Sequence, residues 1–184
     1  MTDDRDHLRT LLDRYAGRWP GESATTDRIR RLVDARADCF ERTCFAPGHV
    51  TGSAMIVSPD REACLLTHHK KLGRWLQLGG HADGDWRIED VVLREAREES
   101  GMHEFTVWTD GELVPFDLDV HVIPARKADP AHEHHDVRFL LIAGAGQDLV
   151  VSDESHDLAW VPLDELQRFT DEESVLRLRT KLPF

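Results

Sequence analysis

The apolar positions of this chain change period several times, and each change marks an element. Leu8, Leu11, Leu12 and Tyr15 recur at helical spacing until Pro20-Gly21 interrupts them. Ile29, Leu32, Val33 and Phe40 form a second stripe, with Thr26 or Asp27 as its N-cap. After Pro47-Gly48 the spacing shortens to that of strands. Residues 50–57 and 63–67 predict a hairpin around the turn Ser58-Pro59-Asp60-Arg61. Residues 74–78 predict a short strand running into Gly79-Gly80. A polar loop over 81–85 then leads to a helix over about 87–100, closed by Gly101. The second half returns to strands: 105–108, an alternating stretch over 116–122, an apolar run over 137–143 and a short piece at 159–161. Pro162 opens a further helix at its first turn, and 171–179 predict one more. The pattern implies a mixed β-sheet covered by helices on two faces, an α/β (α+β) fold. It places an N-terminal helical extension at 1–46 ahead of the main domain at 47–184.

The central helix carries the most specific feature. At 100° per residue, Ile88, Val92, Glu95 and Glu99 fall on one stripe, with Val91 and Glu98 on its flank and Asp90 and Arg97 opposite. The stripe that packs the helix therefore turns into a carboxylate stripe near its C-terminus. Acids aimed at the protein body are costly unless a positive group compensates them, and a hard divalent cation is the usual one.

Composition narrows the function classes. The 184 residues suit one domain with a small appendage, and 32% charged residues beside 40% hydrophobic ones read as globular. A formal charge of −12 argues against a protein that coats long nucleic acid, because phosphate binding needs a basic stripe. A small anionic substrate held through a metal stays compatible with it. Cys39, Cys44 and Cys64 form no CxxC pair and read as reduced packing residues. Met1-Thr2-Asp3-Asp4-Arg5 is acidic rather than leader-like, and no apolar run approaches the ~20 residues of a membrane span. The expectation is a cytoplasmic protein without membrane association.

With the glycines included, the run Arg94-Glu95-Ala96-Arg97-Glu98-Glu99-Ser100-Gly101-Met102 resembles the signature of the Nudix hydrolases, in which Gly80 fills the leading glycine. One position departs: the upstream Glu of the signature falls on Trp86, and the loop His81-Ala82-Asp83-Gly84-Asp85 is one residue short. Asp83 and Asp85 are displaced acids that can stand in. A second match is Val151-Ser152-Asp153-Glu154 ahead of Trp160-Val161-Pro162, which looks like the family's last strand and helix. The resemblance implies a Nudix-type α/β/α sandwich. It implies Mg²⁺ or Mn²⁺ held by Glu95, Glu98, Glu99 and Glu154 with a carbonyl of Gly79 or Gly80. Arg94, four residues before Glu98, is expected to pair with it. Glu98, and after it Glu154, is the expected general base. The implied activity is hydrolysis of a phosphoanhydride in a nucleoside diphosphate derivative. A Nudix-fold sensor that binds a nucleotide without cleaving it is the alternative, motivated by Trp86 and the extra helices.

Histidines are the other conspicuous feature. His81 and His121 are candidate substrate contacts, and Asp117, Asp119 and His121 share a strand face that does not read as core. His132-Glu133-His134-His135-Asp136 contains possible Zn²⁺ ligands, but its spacing fits neither HExxH nor a finger, so a polar loop and strand start is the preferred reading. A Zn-dependent hydrolase built on that cluster is the weakest option. Trp75, Trp86, Trp108 and Trp160 read as packing, with base stacking as the alternative. The N-terminal stripes pack onto the domain or onto a second subunit of a homodimer.

Overall fold

The computed structural model describes residues 4–184, so Met1–Asp3, the start of the acidic N-terminus, lie outside the described residues. Among the described residues, helices α1 (Arg5–Arg18), α2 (Ser23–Ala35), α3 (Ile88–Ser100) and α4 (Glu173–Thr180) accompany strands β1 (Gly48–Val57), β2 (Ala63–His69), β3 (Arg74–Leu76), β4 (Leu78–His81), β5 (Phe105–Val107), β6 (Asp117–Ile123), β7 (His132–Ala143) and β8 (Ser155–Pro162). The strands form a mixed sheet with the path β3-β2-β1-β7-β5; β4 also pairs with β1, β6 with β7 and β8 with β2.

The chain divides into two compact units. The first comprises the chain up to Gly52 with Gly80–Val91 and Thr109–Arg138. Leu8, Leu11, Leu12 and Tyr15 of α1 and Ile29, Leu32 and Val33 of α2 are all at most 2% exposed, as their period implies, whereas Phe40 is buried but lies in a turn beyond the end of α2 at Ala35. The two helices run antiparallel. Arg5 donates to the Val33 carbonyl at 3.1 Å, Arg9 to Asp34 at 2.8 Å and Arg30 to Asp13 at 2.7 Å. Arg14 reaches the Leu113 carbonyl at 3.1 Å and Arg18 reaches Asp110 at 2.9 Å, so α1 is tied to the second stretch of its own unit.

Strands β6 and β7 pair from Asp117↔Arg138 to Ile123↔His132. Their face carries an ion cluster. Buried Arg138 donates to Asp136 at 2.8 Å and to Asp117 at 3.2 Å, with Asp119 at 3.3 Å, and Thr51 donates to Asp136 at 3.0 Å. The polar alternation over 116–122 is thus partly a core feature. Asp117 is fully buried because a guanidinium compensates it.

The second unit comprises Ser53–Gly79, Val92–Trp108 and Phe139–Phe184. The expected hairpin is present, with Val57 opposite Cys64. Strand β8 pairs with β2 from Ala63↔Pro162 to His69↔Ser155. Met55, Ile56, Leu65, Leu66, Phe139, Leu140 and Val161 fill the core.

Several boundaries differ from expectation for local reasons. Helix α2 starts at Ser23, so Thr26 sits inside it and bonds back to the Glu22 carbonyl at 3.2 Å instead of capping. Strand β7 begins at His132, five residues before its apolar run. Pro162 ends β8, and only a 3₁₀ turn at Leu166–Arg168 follows. The three cysteines are buried and unpaired. Among the described residues no helix is long and apolar enough to cross a membrane.

Candidate active site

Helix α3 buries the stripe read from its period. Ile88, Val91, Val92 and Ala96 are at most 1% exposed, Glu95 and Glu99 are half-buried, and Asp90, Arg97 and Glu98 face solvent. Its C-terminus is closed tightly. Gly101 sits at φ +74 with its N–H donating to the Arg97 carbonyl at 2.9 Å, and the Val150 N–H donates to the Ser100 carbonyl at 2.7 Å. A Cβ at Gly101 would lie 2.5 Å from the Val150 Cβ, so both conformation and space require glycine.

Glu99 reports the electrostatics of the predicted site. Its pKa is pushed up to about 8, first by burial, then by the charge of Glu95, and further by Glu154 and Glu98; a hydrogen bond from the Gly79 N–H opposes the rise. Glu95, Glu98 and Glu154 thus all lie near enough to raise the Glu99 carboxyl. The Oε2 atom of Glu99 is buried without a hydrogen-bond partner. A buried carboxylate oxygen among like charges is the donor set that a hard divalent cation satisfies.

Arg94 donates to Glu95 at 3.1 Å, the adjacent carboxylate rather than the expected Glu98. Glu154 is exposed in the segment before β8. Lys70, which belongs to no motif, holds that segment: its N–H donates to the Glu154 carbonyl at 3.0 Å and its Nζ to the Asp153 carbonyl at 2.8 Å.

The histidines in the first unit gather as well. His49 on β1 and His134 on β7 have ring centroids 4.8 Å apart, and His132 lies 5.0 Å from His49 and 5.3 Å from His134. His81 is 5.2 Å from both His49 and His134, while His121 is 5.5 Å from His134 and 3.0 Å from Asp119. The candidate substrate contacts His81 and His121 thus belong to one five-ring group, with His121 partly open to solvent. Burial, then neighbouring histidines, pushes His134 down to about 2; burial likewise pushes His49 down to about 4. His49 and His134 are therefore neutral at physiological pH. Residues 132–136 are strand rather than loop, which revises the polar-loop reading.

The family model described as the NUDIX domain matches residues 48–179. The chain belongs to the Nudix family. Among curated proteins it is 33% identical over 100 residues to nucleoside triphosphatase NudI of Salmonella schwarzengrund and of Salmonella agona, a match spanning 51% of this chain and 65% of those proteins. A Nudix-family hydrolase from Clostridium perfringens superposes with a TM-score of 0.58 at 27% identity, over 72% of this chain and 94% of that one. The E. coli dihydroneopterin triphosphate pyrophosphohydrolase shares the fold, with a TM-score of 0.59 at 15% identity over 72% and 93%.

The Nudix signature departs at Trp86, and the structure gives that position a packing role. Its ring lies edge-on to His7 at 5.4 Å and under the Arg87 guanidinium at 5.6 Å. His7 also meets the buried carboxylate of Glu89 at 3.0 Å. The displaced acids of the short loop are engaged in holding it. Asp83, at φ +53, pairs with Arg42 through two bonds of 2.5 and 2.6 Å, and Asp85 accepts from the Arg87 N–H at 2.9 Å. Trp86, Asp83 and Asp85 thus all make contacts within the loop ahead of α3 and its neighbours.

Proposed function

We propose that this Nudix protein is a Mg²⁺- or Mn²⁺-dependent hydrolase that cleaves a diphosphate linkage in a nucleoside diphosphate derivative. The observation that carries the reading is Glu99, half-buried, raised toward pH 8 and surrounded by Glu95, Glu98 and Glu154. A carboxyl group in that state fits cation binding and is a poor structural choice otherwise. The four glutamates, with a carbonyl of Gly79 or Gly80, are the proposed ligands. The bound ion would neutralise diphosphate oxygens and acidify a water.

The residues supply the rest. Glu98, exposed at the edge of the stripe, takes the proton of the attacking water as its oxygen bonds to phosphorus and the anhydride P–O bond breaks. Glu154 is the second candidate for that role. Arg94 holds Glu95 in its rotamer. His81 and His121 are proposed substrate contacts, supported by the partial exposure of His121 and its carboxylate partner. The nucleoside triphosphatase activity named for the Salmonella relatives supports a nucleotide substrate. We further take residues 1–46 as an extension to a Nudix domain at 47–184, a homodimer as the candidate assembly, and the cytoplasm as the compartment, which the unpaired buried cysteines support.

The test is a panel of nucleoside triphosphates, dinucleoside polyphosphates and nucleoside diphosphate conjugates incubated with Mg²⁺ or Mn²⁺, with phosphate-containing products quantified. Turnover of at least one class with either ion is expected. Tight nucleotide binding with no turnover across the panel would replace the hydrolase by the sensor, the reading that Trp86 motivates.

A further inference from the structure

The histidine group of the first unit has the chemistry of a second metal centre, and none of its residues belongs to the carboxylate set of α3. His49, His132 and His134 each offer one ring nitrogen, and the three nitrogens lie within 4.8 Å of one another. We propose that His49, His132 and His134 bind one divalent transition-metal ion of the zinc class.

Local structure brings these three residues together. Side chains alternate along a strand, so His132 and His134 share one face of β7 while Glu133 and His135 take the other, where they bond to each other at 3.1 Å. His49 enters from β1. The Glu133 N–H donates to the Pro47 carbonyl at 2.8 Å, and Gly48 packs so closely that a Cβ there would meet the Glu133 carbonyl oxygen at 1.8 Å. Glycine at position 48 thus permits the strand contact that sets His49 beside His132 and His134.

The tautomers are arranged for metal binding. His49 Nδ1 lies 3.2 Å from the Cys44 carbonyl and His132 Nδ1 lies 2.8 Å from the Pro130 carbonyl. A carbonyl only accepts, so both Nδ1 atoms donate and each Nε2 keeps its lone pair. This is the backbone contact that orients metal-ligating histidines. His49 Nε2 is then a buried acceptor with no hydrogen-bond partner, in a residue 1% exposed. An orphaned nitrogen aimed at two further imidazoles has a ready explanation in an ion.

An all-nitrogen set also selects the ion. Imidazole suits Zn²⁺ and its transition-metal neighbours, whereas Mg²⁺ demands oxygen ligands. A tetrahedral ion ~2.0–2.1 Å from each nitrogen holds them roughly 3.4 Å apart, which ring rotations of about an ångström achieve. His81 and His121 are in ring contact with His134 but lie outside the set of three converging nitrogens.

The experiment uses the full chain, stripped with chelator and titrated with Zn²⁺ by calorimetry in excess Mg²⁺, and with Co²⁺ by visible absorption. The expected result is one Zn²⁺ per chain despite Mg²⁺, and ligand-field bands of a nitrogen-rich Co²⁺ site. Glu98→Gln should retain both. His132→Asn and His134→Asn, with folding checked by circular dichroism, should weaken Zn²⁺ binding at least about tenfold. Because these residues are partly buried, imidazole ¹⁵N resonances of the wild type are followed too, and three should shift on Zn²⁺ addition. Folded histidine variants that bind Zn²⁺ like the wild type, or imidazole resonances that do not move, would overturn the proposal.

Discussion

Glu99 and Gly101, two residues apart, show how a functional helix end is built under strain. In the metal-free fold Glu99 keeps its proton up to about pH 8, whereas its ordinary value is 4.5. Glu99 therefore holds a proton in the folded chain that it has lost in the unfolded chain between those values, so its own contribution to stability falls as pH rises from about 4.5 to about 8. His49, His134 and His135, held neutral in the fold, act in the opposite direction below about pH 6.5. Denaturant melts of chelated protein should show the fall between about pH 6.5 and 8, where the histidines no longer contribute, and Glu99→Gln should flatten it. Gly101 is constrained by geometry instead. Gly101→Ala forces a left-handed residue and a contact with Val150, which should cost about 2 kcal/mol or more in the same assay.

At the scale of elements, the β6–β7 pair depends on Arg138, which brings Asp117, Asp119 and Asp136 together out of water. Arg138→Met leaves buried carboxylates uncompensated and should lower the unfolding free energy by about 3–5 kcal/mol, measured by chemical denaturation. This cluster also shows what the sequence made legible and what it did not. Helix α3 was readable because its period and its closing glycine agree, and every residue placed on its stripe is buried or half-buried. Glu95 and Glu99, on that stripe, are half-buried. Alternation over 116–122 was visible, but Arg138 lies on another strand, and pairing across strands leaves no local mark. His49 was invisible as a ligand for that reason: His132 is its neighbour only through the β1–β7 contact. Thr26 misled because a helix-internal threonine bonded to i−4 looks, in sequence, like a cap.

For the whole molecule, α1 and α2 are core elements of the first unit, tied by Arg14 and Arg18 to residues near position 110. Leu11→Ala, at a fully buried site of α1, should cost about 2–5 kcal/mol, read as a lowered denaturation midpoint. The Nudix match, by contrast, starts at residue 48. The matched residues thus lie outside those helices, and Trp86, where the signature has a Glu, packs against His7 and Arg87. If the glutamates of α3 and Glu154 form a hydrolytic site, kcat/KM for a cleaved nucleotide with Mg²⁺ must differ between wild type and Glu98→Gln. A loss of about 10²–10⁴-fold with folding intact is predicted for a general base; a variant as active as the wild type would contradict it.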